Sequence, residues 1–429
     1  MSFARKFSVT FIANIIIIIL GVLNNILVVR ICGASGLGLF TLVITSVTIL
    51  MTIAGGGAVL EANRYLAKNN KETAFNLFFN SLILVFAVSV LFFVWWAVFG
   101  GYPLAYTIKE SLLFFVFLAV PFLFIQESNR GILWGLDSID KYNLLSIFRS
   151  LFLLVSNLLL LFFMREGVET AIKSWVFTLV LGAAVSFLFL PGSKTLKFNI
   201  DKELFAKSFL IGWRTFFISI LALLYTRVDI YFVQYFLGGS AVGYYSIVIL
   251  IAAMANISPM IAGMLVFNKA VVKENNSVQD TAKLNRICVA YSLVVSMLLF
   301  ILGKYIIILL YGPEFSVSYR CLIFYIPALV ASNLVSVVSM FTCGKEGFPI
   351  FNIVSLFIAL GVSIVMNLIL IPRLGINGSA IAASVAIGLR AILDIFYFKL
   401  RTKLTLYELF ILKRTDINDF LNRFSLRLG

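Results

Sequence analysis

The amino-acid sequence predicts an all-α polytopic membrane protein with about twelve transmembrane helices, in two six-helix bundles related by a parallel pseudo-two-fold repeat. Three observations predict this fold: the composition, the long uncharged stretches and an internal repeat. Of the 429 residues, 62% are hydrophobic and 12% are charged, whereas soluble domains carry about 45–50% apolar and about 25% charged residues. The composition therefore excludes a soluble enzyme and a disordered chain. Because the apolar runs are continuous, it also excludes an outer-membrane barrel.

The uncharged stretches define the predicted helices. A bilayer-spanning helix needs about 20 predominantly apolar residues, and breaks at charges, Gly and Pro separate the candidates. They are expected near residues 7–31, 37–62, 74–99, 108–130, 142–164, 171–191, 205–236, 242–268, 285–311, 319–342, 347–371 and 378–400. We interpret the first as a span and not as a signal peptide, because its apolar run is too long and no small-residue cleavage site follows.

The net charge of +15 is distributed unevenly along the chain. Of the 34 Lys and Arg residues, 23 lie in the N-terminus, in the loops after even-numbered spans and in the basic stretch from Lys399 to Arg427. By the positive-inside rule this side faces the cytoplasm, so both termini are predicted to be cytoplasmic. We interpret the basic tail as lying along anionic lipid headgroups, and no nucleic-acid partner is predicted.

Cysteine and histidine usage argues against enzymatic chemistry. The four cysteines lack the spacing of a redox or metal motif, and histidine is absent. We therefore predict no catalytic residue, no metal site, no cofactor and no enzymatic activity. The sequence also lacks an ATP-binding Gly-rich loop. Energy for transport would have to come from a proton or sodium gradient, from the substrate gradient or from consumption of the product.

An internal repeat divides the sequence into two halves. Residues Ala34–Ile44 are matched by Gly239–Ile249, and Tyr142–Phe148 are matched by Phe351–Phe357. With six spans per copy, both copies enter the membrane in the same orientation, which is typical of transporters that bind substrate between the halves and work by alternating access. The predicted N-terminal bundle, C-terminal bundle and basic cytoplasmic tail are residues 1–200, 201–400 and 401–429.

Four stretches resemble motifs of one transporter family. Asn24–Phe40 (NNILVVRICGASGLGLF) resembles its first-loop pattern, and Thr226–Tyr245 resembles its seventh-helix signature. Tyr311–Phe315 and Ile371–Gly378 resemble loop motifs of its ninth and eleventh helices. The family is that of the Wzx-type polysaccharide flippases, in the multidrug/oligosaccharidyl-lipid/polysaccharide exporter superfamily. One departure is that Ala34 and Ser35 stand where the family often has Pro-Glu.

The resemblance implies a function and a location. It implies a flippase that moves an undecaprenyl-diphosphate-linked oligosaccharide from the cytoplasmic to the outer leaflet of the bacterial cytoplasmic membrane. The product would serve surface polysaccharide biosynthesis (O-antigen or capsule). A polysaccharide polymerase in the same membrane is an expected partner, besides the lipid bilayer itself.

Charged residues at membrane depth are the candidate site. A charge at the bilayer centre costs at least about 2.5–3.5 kcal/mol and usually faces a bundle interior or a wet cavity. Cations outnumber acids there, which indicates an anionic ligand, and arginine offers phosphate a planar fork of donors that keeps its charge. The predicted substrate-binding residues are Arg30, Arg149, Arg214, Arg227, Lys304 and Arg390. The predicted ion-coupling carboxylates are Asp229 and Glu61.

Most of these residues also have a purely structural interpretation. Pairs of opposite charge three or four residues apart can neutralise each other on one helix face. These pairs are Glu61–Arg64, Glu127–Arg130 and Arg390–Asp394. Arg149 and Lys304 can instead extend towards a membrane interface. For five asparagines we favour hydrogen bonds between helices over a cavity role. They are Asn24, Asn25, Asn157, Asn256 and Asn333.

The rival functions differ in what they require. A membrane enzyme such as a glycosyltransferase would need a large loop with clustered acids or histidine, which the sequence lacks. A multidrug/cation antiporter of the same superfamily would need an acidic cavity, whereas the predicted cavity is cationic. A flippase for a lipid-linked peptidoglycan precursor would use the same chemistry and stays an open alternative.

Overall fold

The computed structural model describes residues 3–55, 59–60, 62–63, 66–67, 71–99, 110–164, 167–190, 202–271, 277–346, 349–402, 404–413 and 416. Within these residues the regular structure is helical, without a strand. The helices are α1 (Phe3–Ile53), α2 (Lys71–Phe99), α3 (Glu110–Gly135), α4 (Ile139–Met164), α5 (Val168–Leu188), α6 (Lys202–Leu237), α7 (Gly239–Ala255), α8 (Ile257–Val271), α9 (Ser277–Tyr311), α10 (Ser316–Glu346), α11 (Ile350–Leu374), α12 (Ile376–Thr402) and α13 (Leu406–Phe410).

The predicted spans are confirmed by these helices. In the described part of the chain, ten helices are long and apolar enough to cross a membrane, and the pair α7 and α8, bent by 47°, adds one more. The candidate span in α1, Val9–Ile53, has 45 residues, about twice what one crossing needs. It breaks at Gly33, where φ is 66° and ψ is −171°, a conformation open to glycine and to few other residues. With α1 counted as two spans, every predicted span has a helix.

The chain forms two compact units, Met1–Gly243 and Tyr244–Gly429. In the first unit, α1 packs against α3, α4, α5 and α6, and α5 packs against α3 and α4. In the second unit, α10 packs against α8, α9 and α12, and α12 also packs against α11. The division predicted from the sequence at residue 200 stays a prediction.

Buried amides connect the helices, as the sequence favoured. Asn157 of α4 donates from Nδ2 to Oδ1 of Asn24 in α1 at 2.7 Å, and both residues are at most 4% exposed. In the second unit, Asn333 of α10 donates to the hydroxyl of Ser292 in α9. Such bonds orient helices that have no hydrophobic driving force between them inside a bilayer.

The two copies of the repeated motif contact each other within the first unit, at what we term the glycine crossing (Ala34, Gly38, Gly239 and Gly243). A Cβ on Gly38 would lie 1.9 Å from the carbonyl oxygen of Gly239, and a Cβ on Gly243 would lie 2.0 Å from that of Ala34. Because Ala34 corresponds to Gly239 and Gly38 to Gly243 in the repeat, the contact is reciprocal, as a two-fold relation requires. Only residues without a side chain allow the two backbones to approach this closely.

The described part of the tail packs on the start of α9. The guanidinium of Arg286 donates to both carboxylate oxygens of Asp416, at 2.6 and 2.8 Å, and also to the carbonyl oxygen of Glu408. Asn285 donates to the carbonyl oxygen of Leu409 at 3.0 Å, and the Leu409 side chain is fully buried. The Arg286 guanidinium holds the pKa of the Asp416 carboxyl below its usual value. The sequence predicts that this stretch lies along lipid headgroups, and docking on α9 was not predicted. Residues 403, 414–415 and 417–429 lie outside the described residues.

Candidate functional site

A cavity of about 300 Å³ lies within the first unit, between α1, α3, α4 and α5, and most of the residues that line it are polar. We call it the α4 pocket, because α4 contributes most of its lining. The polar residues that line it are Asn14, Gln126, Arg130, Tyr142, Asn143, Ser146, Arg149, Ser150 and Ser186. The volume is room for about ten water molecules, so the pocket can hold a small polar ligand.

Two arginines beside this pocket share one carboxylate. Arg130 donates from Nη1 to both oxygens of Glu127, at 2.7 and 2.9 Å, and from Nη2 to the hydroxyl of Tyr142 at 2.6 Å. Arg149, one of the predicted substrate-binding residues, places Nη1 3.5 Å from Glu127 Oε1. The predicted pair of Glu127 and Arg130 is therefore present, but α4 adds a second cation to it. The group carries a net positive charge.

The two arginines differ in how far their donors are used. Arg130 is held against the Tyr142 ring, 4.8 Å from its centroid, and only its Nε is buried without a hydrogen-bond partner. Arg149 has no hydrogen bond to a described residue other than the 3.5 Å contact with Glu127, at the outer limit for such a bond. Its side chain is 31% exposed and lines the α4 pocket. Arg149 is therefore the cation of this group that is available to a ligand.

Arg30 lies in a different cavity. It borders a groove of about 410 Å³ between α1 and α4. The other residues that line this groove are Leu23, Ile26, Leu27, Leu154, Val155 and Leu158. The structure thus does not bring Arg30 and Arg149 into one pocket. The surroundings of Arg30 suit an apolar chain more than a sugar.

On α6, Arg227 and Asp229 have opposite environments. Arg227 is half-buried in the middle of the candidate span Thr215–Leu237, and it forms no hydrogen bond or ion pair with any described residue. Asp229 is 7% exposed, and its Oδ1 accepts a hydrogen bond from the backbone N–H of Ile230 at 2.9 Å. Nearby on α6, the Tyr231 hydroxyl lies 2.7 Å from that of Ser46 in α1. The two charged side chains therefore leave α6 on different faces, as their spacing indicates.

Of the remaining predicted residues, the two whose side chains the structure describes, Arg390 and Lys304, contact neither the Glu127 group nor Arg227 and Asp229. In the second unit, Arg390 forms the expected ion pair with Asp394, with Nε 3.6 Å from Oδ2 and both side chains mostly buried. Lys304 is exposed on α9 next to exposed apolar residues such as Ile301 and Tyr305. This environment fits an extended lysine at a lipid-facing surface. The side chain of Arg214 and the whole of Glu61 and Arg64 lie outside the described residues.

The polar stripe on α4 was not predicted from the sequence. Tyr142, Ser146, Arg149 and Ser150 line the pocket, and their spacing of three and four residues places them on one helix face. The sequence contains that spacing, so the stripe could have been found. The contribution of Glu127 could not, because it depends on which helices pack together.

Comparisons with known proteins agree with this fold. A family model described as "Polysaccharide biosynthesis protein" matches residues 3–267. No curated protein sequence matches the chain. Among solved structures, the lipid II flippase MurJ in an inward closed conformation has a TM-score of 0.75 at 17% identity, over 94% of this chain and 88% of that chain.

Two further structures have the same architecture. An outward-facing multidrug resistance MATE family transporter of the MOP superfamily has a TM-score of 0.67 at 16% identity, over 93% of this chain and 94% of that chain. A MOP superfamily transporter from Pyrococcus furiosus has a TM-score of 0.62 at 17% identity, over 93% and 94% of the two chains. At these identities the similarity shows the fold alone, and the predicted fold class is confirmed.

Proposed function

This chain belongs to the polysaccharide biosynthesis protein family, and from that premise we propose that it is a flippase for a lipid-linked glycan. The cargo is an undecaprenyl-diphosphate-linked oligosaccharide for surface polysaccharide such as O-antigen or capsule. It is moved from the cytoplasmic to the outer leaflet of the bacterial cytoplasmic membrane by alternating access. Both termini are cytoplasmic in this proposal, and a polysaccharide polymerase in the same membrane uses the product.

The observation that carries the proposal is the guanidinium of Arg227, which has no carboxylate partner in the described part of the chain. Several other arginines in or beside the spans have a carboxylate partner. They include Arg130 and Arg149 with Glu127, Arg286 with Asp416, and Arg390 with Asp394. Arg227 has none among the described residues, although a charge in a span is costly unless a partner or water stabilises it. A diphosphate supplies acceptor oxygens that match the guanidinium fork. An anionic cargo therefore explains why a cation stands at this depth.

The other predicted residues keep supporting roles in the proposal. Arg149 and Arg30, which line cavities, and Arg214 are the further cations along the path of the anionic head. Lys304 and Arg390 have surroundings that fit a structural role, and their binding of substrate stays a prediction. Asp229 is the carboxylate that couples transport to a proton or sodium gradient, because it is buried in α6 two residues from Arg227. Glu61 is a second coupling candidate on sequence grounds alone.

The experiment is transport of the glycan lipid by reconstituted protein. Full-length protein in liposomes is supplied with an undecaprenyl-diphosphate-linked oligosaccharide, and its arrival in the opposite leaflet is followed by accessibility to a glycosidase. Arg227→Ala should reduce the flipping rate about ten- to a hundredfold, the worth of one or two charge-assisted hydrogen bonds. Arg227→Lys keeps the charge without the fork and should lie between Ala and wild type.

The controls separate cargo binding from folding and from the rival cargo. Arg320→Ala removes an exposed arginine of α10 and should leave the rate unchanged. A lipid-linked peptidoglycan precursor in the same liposomes tests the alternative cargo. Normal flipping by Arg227→Ala at normal amounts of folded protein would remove Arg227 from the site. Absence of flipping by wild type would refute the function.

A further inference from the structure

We infer that the α4 pocket is a binding site for a phosphoryl group. Arg149 binds the phosphoryl oxygens, and the carboxylate of Glu127 competes with them for the Arg149 guanidinium. The occupant is the diphosphate head of the lipid-linked cargo when it first enters the protein. In naming this cargo the inference rests on the proposed function. The site is separate from Arg227, and nothing in the predicted role of Arg227 requires it.

The distances show that the Glu127 carboxylate is neutralised mainly by Arg130 and only weakly by Arg149. Arg130 contacts both oxygens of Glu127, at 2.7 and 2.9 Å, and therefore neutralises the carboxylate by itself. Arg149 reaches only one of these oxygens, at 3.5 Å. The positive charge that remains is thus centred on Arg149, beside a cavity of about 300 Å³. A cation in such a pocket attracts an anion or must stay hydrated.

Most N–H donors of the Arg149 guanidinium also form no hydrogen bond with a described residue. A guanidinium has five N–H donors and no acceptor. Among the described residues, Arg149 uses its donors only for the long contact with Glu127. Arg130 adds a buried Nε without a partner. The ligand that satisfies these groups must accept several hydrogen bonds and carry negative charge, and a phosphoryl group does both.

The place of the pocket suits the start of transport. Arg130 lies five residues before the end of α3 at Gly135, and Tyr142 lies three residues after the start of α4 at Ile139. The turn between these helices follows the fourth span, so the positive-inside rule places it on the cytoplasmic side. Lipid-linked cargo carried from the cytoplasmic to the outer leaflet would begin there. The α4 pocket is therefore at the depth of the incoming headgroup.

Because Glu127 and the bound anion both accept from Arg149, substitutions of Arg149 and of Glu127 should change the anion affinity in opposite directions. An arriving phosphoryl group replaces the carboxylate as the acceptor for Arg149, so the two anions compete. Removal of the guanidinium should weaken anion binding, whereas removal of the carboxylate should strengthen it. A group with a structural role alone would lose thermal stability in both variants and show no such opposition.

The test is calorimetric titration of purified full-length protein with farnesyl diphosphate and with inorganic diphosphate. All proteins carry Arg227→Gln, so that binding at Arg227 is not counted. Arg149→Gln should weaken binding about tenfold or more, and Glu127→Gln should tighten it severalfold. Arg320→Gln, an exposed arginine of the second unit, is the matched control and should change nothing. If Arg149→Gln folds poorly, Arg149→Lys is used and should weaken binding less.

Each outcome decides the inference. If both probes bind more weakly to Arg149→Gln and more tightly to Glu127→Gln, the site recognises the phosphoryl group alone. If only farnesyl diphosphate shows these changes, the site also requires the lipid chain. Unchanged affinity in Arg149→Gln, or weaker binding in Glu127→Gln, would overturn it. Opposed effects of the two substitutions, together with no flipping of glycan lipid by the wild-type protein, would refute the proposed function and keep the site. Flipping without diphosphate binding at Arg149 would do the reverse.

Discussion

Substitution of Gly38 or Gly243 by alanine should destabilise the protein, although alanine is the better helix former. A methyl group on Gly38 would stand 1.9 Å from the carbonyl oxygen of Gly239, whereas carbon and carbonyl oxygen pack at about 3.3 Å or more. The helices must therefore separate by about 1.4 Å at this point. Overpacking costs about 1–3 kcal/mol, and a backbone carbonyl cannot turn away as a side chain can. We expect about 3 kcal/mol for Gly38→Ala, and the same for Gly243→Ala.

Gly239 provides the matched control within the same crossing. The nearest atoms to a Cβ on Gly239 are 3.8 Å away, so alanine fits there without movement. Because alanine favours a helix over glycine by about 0.5–1 kcal/mol, Gly239→Ala should be neutral or stabilising. The opposite signs at Gly38 and Gly239 distinguish close approach from helix propensity.

The assay is equilibrium unfolding of the detergent-solubilised protein by a chemical denaturant, followed by tryptophan fluorescence. The double variant Gly38→Ala/Gly243→Ala should cost less than the sum of the single variants, because the first methyl already separates the backbones that the second would meet. If Gly38→Ala unfolds at the same or higher denaturant concentration than wild type, the close approach is not present and the reasoning fails.

Three further predictions concern single contacts. Arg286→Ala should lower the free energy of unfolding by about 3–5 kcal/mol, because it leaves the Asp416 carboxylate unpaired. Since the pKa of Asp416 is lowered in the folded protein, its contribution is complete above the unfolded value of about 3.9 and is lost as the pH falls through the folded value. Denaturation of wild type and Asp416→Asn should therefore differ at pH 7 and converge in strong acid. Asn157→Ala should cost about 0.6–2 kcal/mol, and a double-mutant cycle with Asn24→Ala should show most of it as coupling. Asp229→Asn should abolish transport driven by an ion gradient while substrate binding persists; unchanged transport would make Asp229 a structural residue.

The sequence was sufficient where the signal is local. The spans follow from apolar runs longer than a bilayer needs, and the ion pair of Arg390 with Asp394 follows from a spacing of four residues on one helix face. The break at Gly33 lies inside the motif that carried the family resemblance. These features depend on neighbours within one or two turns, and a single sequence contains that information.

The features that were missed join residues far apart in the chain. Arg149 meets Glu127 from 22 residues away, which requires knowledge that α3 and α4 pack at that register. The docking of the tail joins Asn285 to Leu409, 124 residues later. Neither apolar periodicity nor charge spacing specifies such a partner. For the same reason the sequence predicted the pair of Arg390 with Asp394, four residues apart, but could not predict that Arg149 contacts Glu127.

The ion pair between Arg286 and Asp416 also sets an order of events during synthesis. The two residues are 130 positions apart, and a ribosome adds about 5–20 residues per second. Asp416 is therefore translated roughly 6 to 26 seconds after Arg286. For most of that interval the start of α9 lacks both contacts: Arg286 has no Asp416 to pair with, and the Leu409 side chain does not yet cover α9. A premature stop before Leu409 would leave the start of α9 permanently without both contacts, and the truncated protein should be less stable than the full chain.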